Sequence, residues 1–158
     1  VTARHVVLVT TSPAVHPATI ALATDLAAGL GAALLFLHVV PLRPEDGVAM
    51  LHDAAAGFND GADAWLRALR PTSERVPFRH ERRVGVPEDI VEDVVARLGA
   101  ALVVVEEPPR AWWSRVIERS FAEALIPRVS CPVVVGGPRF LEAATTPEPV
   151  PAAAPAEG

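Results

Sequence analysis

The chain has 158 residues, enough for one domain and too few for two comfortable ones. Apolar residues make up 51% and charged residues 21%, with 28 alanines, 5% aromatics and no tyrosine, so an aliphatic core is expected. All 14 basic residues are Arg and 19 acids bring the formal charge to -5, which excludes a basic nucleic-acid footprint and any mechanism built on a catalytic or P-loop lysine.

Residues 6–10 (VVLVT) are short, β-branched and unbroken, as in a strand covered on both faces. Pro17 suits the first turn of a helix, and Ile20, Ala23, Ala27 and Leu30 then share one face. Gly29 and Gly31 are expected to end that helix. Residues 34–40 (LLFLHVV) read as a second buried strand, stopped by Pro41. From Pro44 to Ala64 the signal is weak: Ala49, Leu51, Ala54, Ala55 and Phe58 favour helix, while Gly57 and Gly61 oppose it. Trp65, Leu66 and Leu69 complete a helix before Pro71.

Residues 75–83 (RVPFRHERR) alternate at Val76 and Phe78, and Pro77 inside that run marks an edge strand. Arg79, His80, Arg82 and Arg83 read as charges that protect such an edge. Pro87, Glu88 and Asp89 signal a helix start. Ile90, Val91, Val94, Val95 and Leu98 follow on one face, and Gly99 caps it. Residues 101–105 (ALVVV) are a buried strand. Val116, Ile117, Phe121, Ala124 and Leu125 form a last helix ended by Pro127, and residues 132–135 (PVVV) a last strand.

This alternation predicts an α/β domain over residues 1–140: an open five-stranded parallel sheet, doubly wound, with helices on both faces. Residues 141–158 carry four prolines and few large apolar groups, and read as a disordered Pro/Ala tail or linker. Three glutamates lie there (Glu142, Glu148, Glu157), so the domain itself is nearly neutral. The first residue is Val, as expected of a processed or excised chain. No signal-peptide run opens the sequence, and no apolar stretch approaches the roughly 20 residues needed to span a bilayer. A lone cysteine, Cys131, excludes an internal disulfide and a Cys-rich zinc site, which fits a reducing, cytoplasmic compartment.

In an open parallel sheet a ligand sits at the carboxyl ends of the strands. Three loops lie there: Thr10 to Pro17, Glu106 to Ser114 and Gly136 to Pro138. The first two contain no glycine, and Pro108 and Pro109 remove N–H groups that would bind phosphate. Glu106 and Glu107 would repel a triphosphate, each unit-charge pair at ~4 Å costing about 1 kcal/mol in water and about 4 at an effective dielectric of 20.

The chain resembles the universal stress protein family over residues 4–136. HVVLVTTSPAVHPATIALATDLAAGLGAALLFLHVVP is similar to the family's first strand-helix-strand. GVPEDIVEDVVARLGAALVVV is similar to its "G-x-P-x-x-x-I … A-D-L-I-V-V" segment, and SCPVVVGG to its closing "C-P-V-L-V-V" strand. The resemblance implies the family's adenine-nucleotide-hydrolase-like fold. It also supplies a nucleotide pattern from which this sequence departs. Thr11 stands where an Asp commonly ends the first strand, and Ala101 where one precedes the fourth. In the G-x2-G-x9-G-[S/T] motif, Glu106, Pro109 and Arg119 replace the glycines, and only Ser120 survives. The implied branch is the one that does not bind ATP, so no cofactor, neither ATP nor AMP, is expected.

Other candidates have weaker chemistry. Arg110, Arg115, Arg119 and Ser120 form a candidate anion site, although nearby acids are ready partners for the arginines. Trp112 and Trp113 are adjacent and cannot share a helix face, so they are candidate partner-binding residues or a lid on a shrunken pocket. The five histidines show no ligand spacing, so no metal is expected, and no local signature supports a catalytic triad. The expected function is non-catalytic: a dimeric stress-response, regulatory or scaffold module with a degenerate nucleotide site. By resemblance, the homodimer pairs through Pro132, Val133, Val134 and Val135, an unidentified protein partner is possible, and neither nucleic acid nor membrane insertion is expected. The alternative is a sensor of a nucleotide or other small anion with a rebuilt Arg-containing pocket.

Overall fold

The computed structural model describes residues 4–42, 61–106 and 120–137. Nine elements alternate: β1 (His5–Thr10), α1 (Pro17–Leu30), β2 (Ala33–Pro41), α2 (Gly61–Ala68), β3 (Phe78–Gly85), α3 (Pro87–Leu98), β4 (Leu102–Glu106), α4 (Phe121–Leu125) and β5 (Val133–Gly136). All strand pairs are parallel, in the order β3-β2-β1-β4-β5. The expected five-stranded doubly wound α/β sheet is what forms. The order reverses direction beside β1, between α1 and the segment after β4.

Residue parity assigns each side chain to a face. Odd positions Val7, Val9, Leu35, Leu37, Val103 and Val105 pack with Val91, Val94, Val95 and Leu125 of α3 and α4. Even positions Val6, Leu8, Leu34, Phe36, Leu102 and Val104 pack with Ala23 and Ala27 of α1 and Leu66 of α2. This double coverage is why the central strands are unbroken apolar runs.

Local chemistry sets the helix ends. His16 is the N-cap of α1, its Nδ1 accepting the Ala18 N–H at 3.2 Å, and Pro17 fills the first turn. Gly31 (φ 60) and Gly99 (φ 57) close α1 and α3 in the left-handed conformation. Gly29 lies inside α1 instead of ending it. Pro41 is paired with Gly85 as the last residue of β2, so the strand includes it; its missing N–H is tolerated at a strand end. Pro77 precedes β3, which does form an edge, and its carbonyl accepts the Leu34 N–H at 2.8 Å.

Two expected faces shift. The buried residues of α1 are Thr19, Ala23, Thr24 and Ala27, while Leu30 is 37% exposed. Small residues let α1 lie close to the sheet, and Leu30 is left at its open end. The last described helix starts at Ser120, whose extended backbone (φ -60, ψ 149) excludes one continuous helix running through it from Val116. Val116 and Ile117 themselves lie outside the described residues, as do Pro44 to Asp60 and the tail from Leu141. On β3, Arg82 is largely covered and lies 3.8 Å from Asp63, while Arg83 pairs with Asp93 at 2.7 Å on the surface.

The helix α1 approaches β5 closely at Gly136. A Cβ added to Gly136 would stand 2.8 Å from Thr19 Cγ2, and Thr19 is fully buried. Gly136→Ala is therefore expected to lower stability by about 1–3 kcal/mol, the cost of overpacking a filled core. Urea unfolding followed by tryptophan fluorescence measures it; an unchanged midpoint would show that α1 moves freely away from β5.

Candidate functional site

The carboxyl ends of the strands carry a polar row on the face covered by α1 and α2. His38 pairs in register with Thr10 on one side and Arg82 on the other. Glu106 follows the Val9–Val105 pair and is itself aligned with Gly136. Even parity puts Arg82, His38, Thr10, Glu106 and Gly136 on one face; Thr10 and Glu106 end their strands, whereas His38 is followed in β2 by buried Val39 and Val40. The central strands β1 and β4 are apolar before this level, whereas the edge strand β3 is polar along most of its length.

Glu106 governs one end of the row. Its carboxylate accepts the His16 backbone N–H at 3.0 Å through Oε1 and 2.9 Å through Oε2. His16 is the N-cap of α1, so the carboxylate meets the positive end of the helix dipole. The loop between β1 and α1 is held at its other end by Thr10, which is buried. Thr10 Oγ1 donates to the Ser12 carbonyl at 2.5 Å and accepts the Ser12 N–H at 3.3 Å.

His38 governs the other end. It is 2% exposed, and the Trp65 ring of α2 meets it edge-on at 5.5 Å. Burial pushes its imidazole below the ordinary range. A hydrogen bond to the Thr10 backbone opposes that shift; Arg82 adds to it and Asp63 opposes it. Its Nδ1 has no hydrogen-bond partner.

The sequence-derived candidates divide sharply. Thr11 is half-buried just beyond β1. Ala101 precedes β4, its N–H donating to the His5 carbonyl at 2.8 Å. Ser120 caps α4 in a reciprocal box: its Oγ accepts the Glu123 N–H at 3.1 Å, and its own N–H donates to Glu123 Oε2 at 3.2 Å. The surviving motif serine thus has a structural task. Pro132 precedes β5 and Val133, Val134 and Val135 are half-buried within it, at the sheet edge. Pro109, Arg110, Trp112, Trp113, Arg115 and Arg119 lie outside the described residues. Cys131 is half-buried, and burial pushes its thiol up, away from reactivity.

Sequence reasoning missed His16, His38, Asp63, Trp65 and Arg82 as neighbours of the crevice. One signal was present: a single imidazole interrupts the apolar run LLFLHVV of β2. Its partners come from three other elements, which spacing along the chain does not connect. Among the described residues, no group of three or more His, Cys, Asp or Glu is placed to hold a metal, and no helix is long and apolar enough to cross a membrane.

The universal stress protein family model matches residues 2–135. The chain belongs to the universal stress protein family. Universal stress protein UspA from Lactobacillus plantarum shares the fold with 21% identity and a TM-score of 0.60, over 84% of this chain and 96% of that one. A universal stress protein in complex with cAMP matches at 18% identity and a TM-score of 0.55, over 86% of this chain and 98% of that one. The universal stress protein from Archaeoglobus fulgidus in complex with dAMP matches at 15% identity and a TM-score of 0.52, over 85% and 98%. No curated protein matches the sequence significantly.

In this universal stress protein the buried imidazole gives a pH signature. The unfolded chain takes up the proton near the ordinary value of 6.5, while folded His38 resists it until a lower pH. Stability is therefore expected to fall as pH drops below about 6.5, until the folded imidazole also titrates. Urea midpoints between pH 7.5 and 5 measure the slope, and His38→Leu flattens it. An identical slope in that variant would assign the effect elsewhere.

Proposed function

We propose that this chain is a non-catalytic universal stress module that acts through homodimerisation and a protein partner, its nucleotide site lost. One observation carries the reading: the Glu106 carboxylate occupies the α1 N-terminus, bonded to the His16 N–H at the first motif position. A phosphate entering there meets a like charge and must displace an internal anion already in place. The motif serine, Ser120, is committed to its capping box. Relatives of the same fold bind cAMP and dAMP, so nucleotides are the ligands to test. The lone, half-buried thiol of Cys131 fits a cytoplasmic setting.

Dimerisation through β5 has a backbone rationale. Val103 N–H donates to the Pro132 carbonyl at 3.0 Å. In a parallel ladder, alternate residues address the same neighbour, so Val133 and Val135 turn their amides to the open edge. Among the described residues this edge of valines has no neighbouring strand, and such an edge is a template for a second copy.

Calorimetry with ATP, AMP and cAMP is expected to show no binding in the micromolar range. Micromolar binding that survives Ser120→Ala and is lost in Arg119→Ala would instead favour the anion-sensor reading. Light scattering is expected to give a dimer, and Val135→Pro, which removes an outward N–H at an edge position, a folded monomer. A wild-type monomer at all concentrations would exclude the β5 dimer.

A further inference from the structure

We propose that the outer edge of β3 is a docking site for an extended acidic peptide strand, one in which apolar and acidic residues alternate. The proposal rests on the reading that the chain acts through a protein partner, and names the surface and chemistry of that contact. β3 and β5 are opposite edges of the sheet, so both can be occupied at once.

The backbone supplies the template. Among the described strands, β3 pairs with β2 alone. Leu34 N–H donates to the Pro77 carbonyl at 2.8 Å, and Leu42 N–H to the Gly85 carbonyl at 2.9 Å. In a parallel ladder that spacing commits the odd residues of β3 to β2. The even ones, Phe78, His80 and Val84 among them, turn their N–H and C=O groups outward. Main-chain groups of this kind hold a peptide that adds as a further strand.

Charge selects the occupant. Residues 67–85 hold six of the 14 arginines against two glutamates, in a chain of net charge -5. Part of this charge is paired: Glu81 meets Arg97 at 2.8 Å, and Arg83 meets Asp93 at 2.7 Å. Arg75 and Arg79 are exposed, and among the described residues neither guanidinium has an acidic partner. A second copy of β3 laid on this edge sets arginine against arginine, which cross-strand pairing disfavours, whereas an acidic strand sets carboxylates there. The charges that keep two copies apart therefore admit an acidic strand.

The alternate positions want apolar groups. Phe78 is 41% exposed and Val84 37%, both on the even face of β3. The Phe78 ring is already held in place: Phe36 meets it edge-on at 6.2 Å, His80 at 5.5 Å, and the Arg70 guanidinium lies 5.3 Å from its centroid. His80 is itself stacked on Phe36 and bonded through Nε2 to the Leu69 carbonyl at 2.9 Å. Side chains of a docked strand alternate between the two faces, so its apolar residues meet Phe78 and Val84 while its acids meet Arg79.

Fluorescence polarisation of the full chain with a labelled, end-blocked peptide of alternating Glu and Val, matched to the eight residues of β3, tests this. One saturable site per chain is expected, persisting at about 0.15 M salt. Arg79→Glu should weaken it about tenfold, since an attractive cross-strand pair becomes repulsive. Arg79 is exposed, and circular dichroism checks that the variant folds. The same peptide with a central proline should bind more weakly by a similar factor, because it cannot complete the ladder. In hydrogen exchange, the amides of Phe78, His80 and Val84 should be unprotected in the unliganded chain and protected by the peptide, with Val133 and Val135 unchanged. Absence of saturable binding overturns the proposal, as does protection of those three amides before peptide is added. Equal binding of the proline peptide, or of a single-stranded oligonucleotide, also overturns it, as the mark of loose attraction between a polyanion and arginines. None of these failures touches the β5 dimer or the nucleotide titrations. A monomer that binds ATP and still takes the peptide on β3 supports this site and overturns the earlier reading alone.

Discussion

Everything in this fold follows from burying β1 on both faces. It lies at the centre of the sheet, between β2 and β4, with Val6 to Val9 at most 1% exposed. A strand in that position tolerates only apolar side chains until its last residue, Thr10. The same constraint acts on β4, and on β2 with one exception, the buried His38. The polar side chains of the central strands therefore come late, and His38, Thr10 and Glu106 share one face there.

That rim is also where the N-terminus of α1 meets the end of β4. The helix N-terminus that would favour a phosphate already holds an anion, the Glu106 carboxylate. The interaction is cheap to make, because the helix end supplies an N–H and a partial positive charge without further ordering. It links β4 to α1 across the switch point of the sheet. The carboxylate offsets the partial positive charge of that helix end.

Much of this was legible in the residues. The β-branched runs, the helix starts at Pro17 and Pro87 and the caps at Gly31 and Gly99 named most of the elements, because their signals are local. Glu106 was legible as a loss at a motif position. Its positive role was not, because the partner amide at His16 is 90 residues away. The burial of Thr19 on α1 has the same origin: it packs against Gly136 of a distant strand, which has no side chain to keep it away. Ser120 shows the reverse case, where a residue with two readings is assigned by its backbone angles and by Glu123.

The sequence by itself determined the fold class and the family. Hydrophobic period, turn residues and motif spacing are properties of neighbouring positions. Tertiary structure alone decided that Arg82, His38, Thr10 and Glu106 form one line and that Asp63 and Trp65 cover part of it. Parallel pairing in register joins residues from four strands at one level, and no spacing along the chain encodes that meeting.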